Sequence, residues 1–315
     1  MVKIGKIAAK LWGYDDKKDQ NSGLVAGLEE LMEQRKNVVF LHIKNKLKTS
    51  DNAGDVKSAF KGRGIEMEEI REYCFGDDVR DIDWRVTARK NLPYTKVYAE
   101  ERDREVYVFL DLSASMLFGT KKELKSVTAS KIAALLGWVA QKNNDRFGAF
   151  IFDGEKTWHC RPQNDRANLL AVLKKIEATQ NEALRRQNLK PDWQKTLNMV
   201  LKNIKSQAVM FFVSDFANFA DEEKKLLAAV ARKAQVFCVD VYDVLEVVAP
   251  PAGEYMIENQ GKSLVFDSRS KAFVDEYARF FAEKRAAMRD FCRQFDCKWL
   301  EVRTDLPINE QMRVI

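Results

Sequence analysis

From about Glu105 onward the chain alternates short runs of β-branched and aromatic residues with longer amphipathic stretches, and this rhythm limits the possible folds more than any other feature. The strand candidates lie at 106–110, 147–152, 208–213, 236–241 and 299–302. Each is apolar at successive positions, so both of its faces must be covered, as in a parallel sheet with helices on either side. Between them Ile132, Leu135, Leu136 and Val139 recur at helical spacing, as do Val274, Tyr277, Phe281, Met288 and Phe291, with a shorter stripe at Leu226, Leu227 and Val230. Apolar stripes opposed by polar residues are core faces. The pattern predicts an α/β fold with a doubly wound, mostly parallel sheet over residues 101–315. The sequence Pro250-Pro251-Ala252-Gly253 interrupts the rhythm, and the runs 255–257 and 263–266 around Glu258-Asn259-Gln260-Gly261 predict an inserted hairpin near 250–268.

Residues 1–100 read differently, as an irregular N-terminal α+β region. A helix is expected over 24–34 and a strand over 38–43, followed by a Gly-spaced basic stretch at 57–64 and a dense charged segment at 66–105. The boundary with the regular half is expected near residue 100.

Several function classes are disfavoured. No run of 18 or more apolar residues occurs, so no transmembrane segment is expected. The basic start at 1–10 reaches Asp15 and Asp16 before any useful apolar core of a secretory signal, which makes the cytoplasm the expected location. The five cysteines are dispersed without a CxxC pair and read as reduced, and two histidines are poor material for a zinc centre. A net charge of +6 from 53 basic and 47 acidic residues is too dilute to indicate nucleic acid.

The strand at 106–110 ends in Asp111-Leu112-Ser113-Ala114-Ser115, a D-x-S-x-S arrangement where a parallel strand leaves the sheet. In open α/β sheets ligands bind beyond the carboxyl ends of strands where strand order reverses. A second strand delivers Ser214-Asp215 at the equivalent end, and Thr196 begins the helical stretch before it. Carboxylates and hydroxyls are hard oxygen ligands, suited to Mg²⁺ or Mn²⁺. So few charged ligands would leave the ion electropositive and ready for an outside carboxylate. Ser or Asp after a strand also commonly caps the next helix, which is the plain structural alternative.

The chain resembles a von Willebrand factor A-type domain with a metal-ion-dependent adhesion site. That resemblance implies a metal site built from Asp111, Ser113 and Ser115, then Thr196, then Asp215. The family commonly carries Gly where this chain has Phe216, and Gly where it has Lys195. A longer stretch, Arg71-Glu72-Tyr73, Gly76-Asp77-Asp78-Val79-Arg80, Asp81-Ile82-Asp83-Trp84 and Thr87-Ala88-Arg89, then Val97-Tyr98-Ala99-Glu100-Glu101, resembles the signature of the bacterial domain-of-unknown-function family fifty-eight. Members of that family are typically encoded beside MoxR-type AAA+ ATPases, which the resemblance implies as a partner.

On residue chemistry alone, Asp77, Asp78, Asp81 and Asp83 face Arg71, Arg80, Arg85, Arg89 and Lys90 within a short span, predicting a mutually neutralising ion-pair segment anchored by packing of Trp84. Neither a GxSxG elbow nor a P-loop is present. The expected function is therefore a non-enzymatic, Mg²⁺-dependent adaptor gripping a carboxylate on a protein partner. Two alternatives stay open: a metal-dependent hydrolase with His159 as general base, and nucleic-acid binding through Arg85, Arg89, Lys90 and Lys96 beside Tyr94 and Tyr98.

Overall fold

The computed structural model describes residues 23–40, 65–100, 104–185, 191–217, 219–259 and 262–312. They form two compact units, one comprising 23–40 with 104–312 and the other 65–100. The first 100 residues are thus not one region, contrary to the expectation from sequence. Helix α1 (Leu28–Glu33) and the 3-10 segment Gln34–Phe40 belong to the large unit, where Leu31 and Val38 are buried in its core. The Trp138 indole donates to the Leu31 carbonyl at 3.2 Å, Lys131 pairs with Glu30 at 2.6 Å and also with Glu123, and the Ala26 amide donates to Gln180 Oε1 at 3.1 Å. The strand expected over 38–43 is 3-10 helix as far as residue 40, because Val38 packs into a helical core and has no strand beside it; residues 41–43 and the basic stretch 57–64 lie outside the described residues.

In the small unit β1 (Ile65–Glu72) pairs antiparallel with β2 (Tyr94–Glu100). Between them run a 3-10 turn, Val79–Asp81, and helix α2 (Trp84–Lys90). Carboxylates define both starts: Asp78 accepts from the Arg80 amide, and Asp83 accepts from the Arg85 and Val86 amides. Asn91, in the left-handed region at φ 55°, ends the helix.

The large unit is built on a six-stranded sheet. In chain order its elements are β3 (Glu105–Asp111), α3 (Lys125–Lys142), β4 (Arg146–Phe152), β5 (Thr157–Gln163), α4 (Arg166–Ala183), α5 (Trp193–Asn203), β6 (Val209–Ser214), α6 (Asp221–Lys233) and β7 (Gln235–Tyr242). The predicted hairpin follows as β8 (Glu254–Asn259) and β9 (Lys262–Asp267), then α7 (Lys271–Gln294), β10 (Lys298–Arg303) and the short α8 (Ile308–Gln311). Strand order is β10-β7-β6-β3-β4-β5, parallel throughout except for the antiparallel edge strand β5. Read from the β5 edge this is the doubly wound order in which the winding direction reverses between the first and fourth strands, here β3 and β6.

Strand alternation divides the interior in two. Val106, Val108 and Leu110 enter a core with α3 and α4, whereas Tyr107 and Phe109 enter one with α5, α6 and α7. The sheet covers α3 on one side and residues 23–40 on the other, so nearly all of this helix is buried. Among the described residues no helix is long and apolar enough to cross a membrane.

Because Leu31 is fully buried beneath this cover, Leu31→Ala should lower stability by about 2–5 kcal/mol, measured by urea unfolding. An unchanged midpoint would mean that residues 23–40 are not part of the cooperative unit.

Candidate functional site

At the carboxyl ends of β3 and β6, the reversal point, two acidic residues leave adjacent strands. Asp111 is fully buried; its Oδ1 accepts from the Ser113 amide at 2.8 Å and its Oδ2 from the Ser214 hydroxyl at 2.7 Å. Those bonds fold the loop back over the strand end, where Ala114–Met116 makes one 3-10 turn and the Leu112 amide is held by the Phe152 carbonyl at 2.8 Å. The turn sets the Ser113 and Ser115 hydroxyl oxygens 3.5 Å apart, and Ser115 donates to Asp215 Oδ1 at 3.1 Å. Burial, and then the charge of Asp215, push the Asp111 carboxyl up to about 6.

Lys125, the first residue of α3, enters the same crevice. Its ammonium donates to Asp215 Oδ2 and to Glu246 Oε1, both at 2.7 Å, and its side chain is 2% exposed. A cation at a helix N-terminus opposes the helix dipole, so these two carboxylates must hold it there. Burial disfavours the charged ammonium, but Asp215 and Glu246 outweigh burial and raise its pKa. Burial likewise works against Asp215, yet Lys125 holds that carboxyl below the ordinary carboxylate range. Glu246 is fixed in turn through Oε2, which accepts from the Asp243 amide at 2.9 Å. Sequence reasoning missed both Lys125 and Glu246. The available signal was a lysine opening an otherwise apolar helix.

The five residues expected to meet around a metal divide four to one. Asp111, Ser113, Ser115 and Asp215 form a continuous hydrogen-bonded set, whereas the Thr196 hydroxyl pairs with Thr157 on β5 at 2.7 Å and bonds to none of the other four. Donor chemistry and spacing fit a hard divalent ion, since adjacent ligands in an octahedral shell with bonds of ~2.1 Å lie ~3.0 Å apart. The separation of 3.1 Å between Ser115 and Asp215 is close to that edge, and the 3.5 Å between Ser113 and Ser115 is longer by about 0.5 Å. Both oxygens of Asp111 already accept hydrogen bonds, which suits it to orienting the seryl loop from behind. Among the described residues no group of three His, Cys, Asp or Glu side chains could hold a metal, so hydroxyls are essential to any such shell.

Phe216, at the position where glycine was expected from the resemblance, has φ 49°. Left-handed backbone costs a non-glycine residue roughly 1–2 kcal/mol. Here the side chain is buried, with ring centroids 5.4 Å from Phe219 and 5.6 Å from Trp299, and burial of a large apolar side chain is worth about 1.5–3 kcal/mol. Aromatic packing therefore supports a turn that elsewhere needs glycine.

The ion-pair segment departs from expectation. Arg71 pairs with Asp77 at 2.7 Å and Lys96 with Asp83 at 3.6 Å, but Asp78 and Asp83 are engaged mainly in capping backbone amides. Arg80, Asp81, Arg85 and Arg89 have no ion pair among the described residues, and Trp84 is 68% exposed, so it does not anchor the segment. Helix capping has claimed the carboxylates that mutual neutralisation would need. His159, the base required by a hydrolase, lies on edge strand β5 stacked on Phe150 with centroids 4.3 Å apart, and burial lowers its pKa.

Lys125→Met would leave buried carboxylates unpaired and should cost about 3–5 kcal/mol at neutral pH. Because the folded-state pKa of Asp215 is depressed, the stability it contributes is complete above the ordinary carboxylate range and is lost as pH falls through the depressed value. The deficit of Lys125→Met relative to wild type should therefore narrow on acidification, as followed by chemical unfolding at stepped pH.

Comparison with known proteins agrees with the family signature of the small unit. Two curated relatives, "Uncharacterized protein Rv1480" of Mycobacterium tuberculosis and "Uncharacterized protein Mb1516" of Mycobacterium bovis, are each 28% identical over 253 residues, covering 80% of this chain and 78% of theirs. Among solved structures, the conserved hypothetical protein BatB from Bacteroides thetaiotaomicron is 16% identical with a TM-score of 0.41, covering 67% of this chain and 95% of its own. The SpRpn10 VWA domain is 8% identical with a TM-score of 0.34, covering 66% of this chain and 93% of its own. At those scores the fold assignment rests on the strand order itself. The family described as "Protein of unknown function DUF58" matches residues 69–287, from the signature of the small unit through most of the sheet, and the chain belongs to that family.

Proposed function

We propose that the chain is a non-enzymatic, cytoplasmic protein-binding adaptor in which Ser113, Ser115 and Asp215 hold Mg²⁺ or Mn²⁺ and Asp111 orients the seryl loop. The supporting observation is the convergence of two seryl hydroxyls, 3.5 Å apart, and a carboxylate oxygen 3.1 Å from Ser115 at the point where the sheet reverses direction. A cation bound there would supply a Lewis-acidic position for an acidic side chain of a partner protein. Lys125 sharpens that preference, because it already offsets the charge of Asp215 from within the fold. Thr196, whose hydroxyl pairs with Thr157 and bonds to none of the other four, stands outside this set. By analogy with the gene neighbourhoods of the family, the partner is a MoxR-type AAA+ ATPase or its client, and the process is assembly or remodelling of protein complexes.

Isothermal titration should give saturable Mg²⁺ binding in the wild type, abolished in Ser115→Ala and in Ser113→Ala. In Asp111→Asn, which keeps the shape of the supporting residue, binding should be roughly 10–100-fold weaker. Capture of the neighbouring ATPase should be lost in EDTA. Equal Mg²⁺ affinity in the wild type and both serine variants would overturn the cation site.

A further inference from the structure

The small unit carries a surface that the cation site does not explain. Of the eleven exposed large hydrophobic side chains among the described residues, four fall between residues 75 and 92: Phe75, Val79, Trp84 and Leu92. Helix α2 adds a defined face. Trp84, Arg85, Ala88 and Arg89, one turn apart in pairs, are all exposed, while Val86 and Thr87 are partly buried and Thr87 Oγ1 accepts from the Tyr94 amide of β2 at 3.0 Å.

The charge of this face follows from how the neighbouring carboxylates are engaged. Asp77 binds Arg71 and the Cys74 amide, Asp78 caps the 3-10 turn, and Asp83 caps α2 and faces Lys96. Arg80, Arg85 and Arg89, beside an exposed tryptophan, are left without an ion pair among the described residues, against one unpaired and partly buried carboxylate, Asp81. Tryptophan and arginine are the side chains that most often dominate the energy of protein interfaces, and Ala88 between them permits close approach.

We infer that the exposed face of α2, with the exposed Phe75, Val79 and Leu92 in the segments that flank it in sequence, is a docking surface for a protein partner that offers carboxylates around an apolar pocket. A nucleic acid fits less well. Residues 65–100 contain nine acidic and six basic residues, so a long polyphosphate strand running past α2 would meet a segment that is net negative. Val79 and Leu92 also lack the flat faces on which bases stack. A protein carboxylate, in contrast, meets the guanidiniums locally and can pair with them bidentately. This inference is independent of the cation site, and EDTA should not affect the binding it describes.

The test uses fluorescence anisotropy of the full chain with a fluorescein-labelled amphipathic Glu/Leu peptide, its Lys/Leu counterpart and an oligothymidylate of equal length. The Glu/Leu peptide should bind the wild type, weaken with added salt and be insensitive to EDTA. Trp84→Ala and the double variant Arg85→Glu/Arg89→Glu should each weaken it by about tenfold or more, while Arg85→Lys/Arg89→Lys should retain most of the binding. These positions are exposed, so the variants should keep the wild-type thermal midpoint, and Trp84→Phe supplies a second aromatic probe should Trp84→Ala fail to do so. Undiminished Glu/Leu binding in the charge-reversed protein, or equal or tighter binding of the Lys/Leu peptide or the oligothymidylate, would overturn the inference.

Discussion

Two buried carboxylates at the ends of neighbouring parallel strands can be held only if something compensates their desolvation, and Lys125 supplies that compensation for Asp215. Its position at the start of α3 places the ammonium beneath the strand ends, where it bonds at once to the β6 loop and to Glu246 after β7. Asp111 has no such cation. Hydrogen bonds from Ser113 and Ser214 favour its charged form but do not outweigh burial and the charge of Asp215, so its carboxyl is raised while that of Asp215 is lowered. The pair is thus electrostatically unequal: Asp215 faces an ammonium, and Asp111 is held by hydrogen bonds from its loop and from Ser214.

The doubly wound topology makes this arrangement possible. Between β3 and β6 the connections depart to opposite faces, so the strand ends are not covered by a crossover and the loops after Asp111 and Ser214 can meet. Burying the sheet on both sides fixes the strand ends, and short bonds to neighbouring backbone, such as that from Leu112 to Phe152, transmit this rigidity to the loops. Residues 23–40 contribute at a distance by sealing the outer side of α3, the helix that carries Lys125.

Much of this was legible in the sequence. Four of the five parallel strands, β3, β4, β6 and β7, are buried along almost their whole length, and the continuous apolar run that results is hard to mistake, whereas β10 at the edge is only partly buried. The stripe Leu169, Val172, Leu173 and Ile176 of α4, with Asp165 as its cap, was equally readable yet went unassigned. The β1–β2 hairpin was not readable: β1 is rich in glutamate, and a register shift between Met67 and Glu69 breaks the alternation that marks a strand. At the site, strand-end placement identified Asp111 and Asp215, because loop chemistry follows directly from where strands stop. Lys125 and Glu246 were hidden because they are separated by 121 residues and only the packing of α3 beneath the β7 loop joins them. Trp84 misled for a simpler reason: tryptophan is usually well buried, and here it is not.

The turn at Phe216 has a consequence for recognition. Glycine there would leave the loop after Asp215 free to reorient when a visitor arrives, whereas a side chain wedged between Phe219 and Trp299 ties that backbone to the hydrophobic interior. Asp215 is therefore presented in one pose, set before any encounter. At the proposed cation site such preorganisation would give up tolerance for varied shapes and spare the entropy of ordering the loop.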